Sequence, residues 1–250
     1  MTAALLLHQL RAEQLLFWRN RESAIFVFVF PPLLYLLLGA VYDGQIDGFP
    51  AADVLLVGLL GYGCANTAFA GLAITLVIRR EGGILKRLRA TPLPASTYLA
   101  AVLVSTLVVF VLQMALTLVL GVLLYGARGP ESWAGVVLTV LLGVATFAGL
   151  GLGAASLIRS SEGSSAVVNL VLLPMAFLSG SFGPTHSFPN ALQAIAEVLP
   201  LTYFIDLLEG VYLRGDAPWD DPGAVALVVL WGVGGLMVAW RRFGWEPRSR

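Results

Sequence analysis

The amino-acid sequence predicts an all-α membrane protein: six transmembrane helices, an N-terminal interfacial helix, an amphipathic helix on the cytoplasmic side, and short re-entrant outer-leaflet helices before the last span. Three observations carry that expectation. Of 250 residues, 58% are apolar and 12% charged, about half of the roughly 25% charged fraction of a soluble domain. The thirty charges leave six uncharged runs, 23–42, 54–78, 90–127, 132–158, 163–196 and 222–240, each long enough at about 1.5 Å per residue to cross a core of about 30 Å. Finally, thirteen of the fifteen basic residues fall in segments that six crossings place on one side, and only Arg128 and Arg214 on the other. The positive-inside rule makes the first side cytoplasmic, with both termini in the cytoplasm of a multi-pass plasma-membrane protein. Helices are required because lipid cannot satisfy an open backbone, and a barrel would show alternating segments of about ten residues.

Residues 1–22 form the interfacial helix. Leu6, Leu10 and Phe17 share a stripe, Glu13 and Gln14 lie close beside it, and Trp18 and Arg19 suit headgroup depth. The first span, 23–42, carries Pro31-Pro32, which predicts a kink. It follows a stretch containing Arg11, Arg19 and Arg21 and precedes no small-residue cleavage site, so it does not read as a cleaved signal. The second span, 54–78, holds Asn66 and Thr67 centrally, and its Cys64, the sole cysteine, reads as a small buried residue.

A basic loop, 79–96, leads to the third span, 97–125, with Gln113 at its centre. The fourth, 133–158, contains Gly143, Gly149, Gly151 and Gly153, small residues that permit close helix packing. The fifth run would measure about 51 Å as one helix and is punctuated by Pro174, Gly180, Gly183, Pro184 and Pro189. It therefore divides into a span at 164–179 and an outer segment, 180–221, containing two short helices that dip into the outer leaflet and return. The sixth span is 222–240, and a basic tail, 241–250, follows. One membrane domain fills residues 1–250.

The zero net charge removes nucleic acid as a partner. The split behind it is +8 inside and −8 outside, from thirteen bases and five acids against two bases and ten acids. The two histidines, His8 and His186, offer neither a metal cluster nor a base in register with a nucleophile, so no catalytic or metal site is expected; His186 reads as a solvated turn residue. The only lysine, Lys86, lies between Leu85 and Arg87 and so outside any Walker A loop.

The densest basic cluster is Arg79-Arg80-Glu81-Gly82-Gly83-Ile84-Leu85-Lys86-Arg87-Leu88-Arg89-Ala90-Thr91-Pro92. On a helix from Ile84, Ile84, Leu85 and Leu88 fall within an arc of about 100° and the basic side chains point away. This reads either as an anchor on anionic lipid or as a docking element whose apolar face enters a partner's groove. The pattern Glu81-Gly82-Gly83-x-x-Lys86-Arg87-Leu88-x-x-Thr91-Pro92-Leu93, followed by Tyr98, resembles the intracellular coupling segment of ABC-2 type transporter permeases, in the drug and lipid branch of type V-like ABC exporters. Leu178-Ser179-Gly180, Phe188-Pro189 and Leu199-Pro200-Leu201-Thr202-Tyr203 are similar to a second block of that family.

The resemblance implies a half-transporter that pairs with a second copy or a homologous permease and recruits two separate ATPase subunits. ATP and Mg would be bound there, with no cofactor in this chain. It assigns ATPase coupling to Glu81, Gly82, Gly83, Ile84, Leu85, Lys86, Arg87, Leu88, Thr91 and Pro92, with the helix at 83–90 moving spans one, two and five. Glu81 would pair with an arginine of the partner or of its own N-terminal helix; an ordinary intramolecular salt bridge explains it equally well. Substrate contacts carry over to Asn66, Thr67 and Phe69 on span two and to Asn169, Leu172, Leu173 and Phe177 on span five; interhelical packing explains each residue equally well.

The function implied is outward transport of an amphipathic or lipophilic compound, such as a drug, lipid or secondary metabolite, in contact with membrane lipids. Glycan or polysaccharide export is the alternative within the family. Ion-coupled transport is disfavoured because the six spans contain no ionisable Asp, Glu, Lys, Arg or His.

Overall fold

The computed structural model describes residues 3–186 and 188–246, so Arg248 and Arg250 of the expected tail lie outside the described residues. Helix α1 (Ala3–Arg19) is followed by α2 (Arg21–Gly39), where Asn20 caps the new helix by accepting from the Ser23 amide at 3.3 Å. α2 continues through Pro31 and Pro32 without a break in its helical assignment. A small hairpin of β1 (Gln45–Ile46) and β2 (Phe49–Pro50) turns at Asp47-Gly48. Both turn residues have positive φ, 52° and 84°, as a type I′ turn requires.

The next rod is one long apolar helix with a change of pitch in its middle: α3 (Ala51–Ala65), a π-helical turn (Asn66–Gly71) and α4 (Leu72–Glu81). It is the centre of the molecule, with 89% of its most apolar stretch buried against 28% for α2. After the short α5 (Ile84–Arg89) come α6 (Ala95–Tyr125) and α7 (Trp133–Leu157). Then follow α8 (Ser164–Leu178), α9 (Asn190–Ala196) and α10 (Pro200–Glu209), the last extended by a π turn (Gly210–Arg214), and finally α11 (Pro222–Arg242).

Five of these helices are long and apolar enough to cross a membrane, or six if the pair Asn190–Ala196 and Pro200–Arg214, bent by 79°, forms one span. The helix in the predicted fifth span is α8, of 15 residues, which reaches only about 22 Å and so falls short of a full crossing. It stops because Ser179 caps it and Gly180 turns the chain with a left-handed φ of 79°.

The glycines of α7 are used for packing. A Cβ at Gly149 would sit 2.6 Å from the Gly232 carbonyl oxygen, and one at Gly153 would sit 2.8 Å from that of Gly235. α7 and α11 thus meet backbone to backbone. On another side of α7, a Cβ at Gly151 would lie 2.9 Å from the carbonyl oxygens of Ala68 and Phe69, which belong to the π turn. A Cβ at Gly143 would run into the Phe204 ring on α10. Cys64 is buried.

Candidate functional site

The C-terminal end of α4 presents two consecutive arginines, and successive helical positions point about 100° apart, so the pair serves two different neighbours. Arg79 Nη1 lies 2.8 Å from Glu13 Oε2 on α1 and donates to Tyr98 Oη on α6 at 2.9 Å. Glu13 is buried, and the bridge ties α1, α4 and α6 together. Arg80, only 1% exposed, turns the other way. Its terminal nitrogens donate to the carbonyl oxygens of Ala155 at 2.7 Å and Ile158 at 2.5 Å, and its Nε donates to Glu81 Oε1 at 2.9 Å. Glu81 is therefore held by its immediate neighbour, and the tie to the N-terminal helix runs through Glu13 and Arg79 instead.

Gly82 ends α4, and Gly83, at a left-handed φ of 69°, reverses the chain into α5. The apolar arc expected on α5 is divided. Leu85 is fully buried and Leu88 half-buried within this chain, whereas Ile84 is 44% exposed alongside Lys86, Arg87 and Arg89. The surface left on α5 is therefore Ile84 with the basic side chains, not the whole arc. Thr91 Oγ1 donates to the Leu88 carbonyl at 2.6 Å and accepts from the Leu93 amide at 3.4 Å, folding the turn before Pro92.

Beyond α11 the chain returns to this segment. Trp245 sits 6.3 Å from the Tyr98 ring and 5.7 Å from Phe243, and Glu246 comes within 3.8 Å of Lys86. A cavity of about 390 Å³ lies between Leu88, Arg89, Leu93, Tyr98 and Trp245.

The residues assigned to a substrate path divide by burial. Asn66, Thr67, Phe69 and Leu172 are buried, while Phe177 is 60% exposed, Leu173 is exposed, and Asn169 is half-exposed and donates to the Ser165 carbonyl at 2.9 Å. The π turn carrying the first three packs against both α7 and α8, so the two halves of the set adjoin without facing one open cavity. π turns of this kind recur at functional sites.

A feature not read from the sequence crosses this region. Phe26 stacks on Phe30 at 4.8 Å; Phe30 reaches Tyr62 at 6.2 Å; Tyr62 reaches Phe182 at 5.3 Å; and Phe182 reaches Phe177 at 4.7 Å. This row joins α2, α3, the loop after α8 and α8 itself, and both of its ends are exposed. Only the Phe26 and Phe30 spacing, four residues apart, was visible as a pattern.

The second motif block holds the corner between α9 and α10. Pro200 opens α10. Thr202 Oγ1 lies 2.8 Å from the Ala196 carbonyl oxygen and 2.9 Å from Ser179 Oγ, and Tyr203 Oη donates to the Glu197 carbonyl at 2.6 Å. Nearby, the exposed His186 Nε2 stands 3.0 Å from Asp47 Oδ2. The hydrogen bond to Asp47 and that residue's charge hold the imidazole above its ordinary value. The Asp47-Gly48 dipeptide was the signal for the hairpin that brings Asp47 there. Among the described residues, no group of three or more His, Cys, Asp or Glu is placed to hold a metal ion.

Comparison with known proteins gives this arrangement a family. Residues 5–213 match the ABC-2 type transporter family. The chain is 25% identical over 188 residues to a putative transport permease, YvfS, of Bacillus subtilis, covering 74% of this chain and 76% of that protein. It is 26% identical over 148 residues to a probable multidrug ABC transporter permease, YbhR, of Escherichia coli, covering 59% of this chain and 40% of YbhR. It is 26% identical over 159 residues to the linearmycin resistance permease protein LnrN of Bacillus subtilis, covering 64% of this chain and 41% of LnrN. With its apolar helices, its glycine-hinged basic segment and a family match over most of its length, the chain belongs to the ABC-2 type transporter family.

Proposed function

We propose that this chain is the membrane subunit of an ATP-driven exporter that moves an amphipathic or lipophilic compound, a drug, lipid or secondary metabolite, out of the cytoplasm. It works as a pair of copies, with two separate subunits binding ATP and Mg and hydrolysing the nucleotide; α1 lies in the cytoplasmic interface and α5 is the coupling helix. The observation that carries the substrate class is the uncharged aromatic row from Phe26 to Phe177, which offers ring faces and no desolvated charge to a lipophilic molecule. Multidrug and resistance permeases among the relatives agree with it. For the docking role, support comes from the exposed Ile84 beside Lys86, Arg87 and Arg89, a one-sided basic surface with an apolar tip suited to an acidic-rimmed groove.

The test is copurification with a soluble ATPase encoded beside the chain, followed by ATPase assays in lipid nanodiscs. Lipophilic compounds should stimulate hydrolysis, Phe177→Ala and Phe182→Ala should weaken that stimulation, and Ile84→Asp should release the ATPase while leaving the permease folded. Stimulation by a lipid-linked glycan in place of lipophilic compounds would favour the glycan-export reading. A folded permease that retains no ATPase would overturn the proposal.

A further inference from the structure

We propose that Arg80 is a positioning residue that pins the end of α4, from which the segment 82–94 departs, to α7, so that the central rod, α7 and α11 move as one body. The transport role of that body rests on the reading above, in which an ATPase docks on α5.

The pin has three directed bonds. Carbonyls in the last turn of a helix lack intrahelical donors and form the negative end of its dipole. Arg80 satisfies one of them, Ala155, and also the carbonyl of Ile158, the residue that caps α7. Its third bond goes to Glu81, the first residue of the Glu-Gly-Gly motif. A guanidinium is a planar fork, so bonds from all three nitrogens set its orientation as well as its position. At 1% exposure no bulk water competes for these partners. A swing of the end of α4 away from α7 would break both charge-assisted bonds to α7 at once, while the bond to Glu81 on the same helix keeps the fork aimed.

From α7 the connection continues through backbone. Gly149 and Gly153 abut Gly232 and Gly235 of α11, and Gly151 abuts the carbonyls of Ala68 and Phe69 in the π turn. Contacts made by main chain have no rotamers to relax into, so the three helices shift together. Arg79 performs the complementary task one position earlier, gripping α1 and α6 through Glu13 and Tyr98. The two adjacent arginines thus tie α4 to different neighbours: main-chain carbonyls of α7 on one side, side chains of α1 and α6 on the other. The movement that resemblance assigned to spans one, two and five begins, on this geometry, with span four.

Spin labels test the body directly. In a Cys64→Ala background, one pair joins Ile78→Cys, exposed on α4, to Trp133→Cys at the far end of α7. A reference pair joins Ile78→Cys to Leu124→Cys at the far end of α6. Labelled copies are diluted in unlabelled ones, and double electron–electron resonance distances are taken in nanodiscs with the ATPase, nucleotide-free and trapped with ATP and vanadate. The first distance should stay narrow and constant while the second shifts.

Arg80→Lys, which keeps the charge and loses the fork, should broaden the first distribution even in the permease alone. Transport per ATP hydrolysed should fall severalfold with the ATPase still bound. An Ile78 to Trp133 distance that changes with nucleotide when Arg80 is intact would overturn the pin, as would an Arg80→Lys distribution no wider than that with Arg80 intact. Failure of the wild-type permease to retain an ATPase would overturn the docking reading instead, and the width measured on the permease alone then still decides the pin.

Discussion

Glu13 shows how one buried carboxylate ties together α1, α4 and α6. It is 4% exposed on a helix that otherwise turns Leu5, Leu7, Leu15 and Leu16 outward, and it is compensated by Arg79 at 2.8 Å. Removing one member of a buried pair strands the other, at a cost of about 3 kcal/mol, the lower end of the usual range because Tyr98 still holds the guanidinium. Glu13→Ala should therefore lower the thermal unfolding temperature in detergent, and Glu13→Gln, which keeps an acceptor, should lower it less. In the loop after α8, His186 beside Asp47 should titrate above an ordinary histidine. Because the folded value is the raised one, the pair's stabilisation is full below the ordinary histidine value and disappears as pH rises through the raised value. NMR of labelled histidine should show this, and Asp47→Asn should return His186 to the ordinary range with His8 as internal comparison. Neither partnership was legible in the sequence. Glu13 read as a polar interruption of an interfacial stripe because its partner is far along the chain, and His186 read as a lone turn residue for the same reason. What the sequence did show was composition: the arginine pair stood out as charge, but which arginine turns inward depends on where α7 ends.

Among the elements, the α7 and α11 pair has the least room for change. Overpacking a tight interface costs about 1–3 kcal/mol, and a methyl at Gly153 would meet the Gly235 carbonyl oxygen at 2.8 Å. Gly153→Ala should thus lower thermal stability, whereas Gly234→Ala, whose Cβ meets nothing within 4 Å, should leave it unchanged. The glycine set was readable as packing material from its spacing, though not its partners, since close approach depends on how α11 is aligned. α5 is the opposite kind of element: six residues long, too short to persist alone, and held by Leu85 beneath it and Trp245 beside it. Trp245→Ala should speed amide hydrogen exchange across 84–94 while leaving the exchange of α7 unchanged, and Trp245→Phe should restore most of the protection. Helical periodicity located α5 correctly, but an arc drawn on a wheel does not reveal that Leu85 is already occupied by its own protein.

For the molecule as a whole, long uncharged runs made the helices readable, because lipid punishes unpaired backbone and charge wherever they occur; the one-sided arginines carry the proposed orientation. The aromatic row was not readable, since Phe182 enters it from an irregular loop, where no period exists to follow. The proposed orientation predicts that Arg87→Cys reacts with a membrane-impermeant maleimide only from the cytoplasmic side, and Trp219→Cys, 68% exposed, only from outside. The central claim, an ATP-driven exporter, is tested most directly by transport in inside-out vesicles containing the permease and its ATPase. ATP should drive uptake of a fluorescent lipophilic compound, uptake should persist when proton and sodium gradients are collapsed, and Ile84→Asp should abolish it. Uptake that continues without ATP and stops when an ion gradient is collapsed would contradict the account.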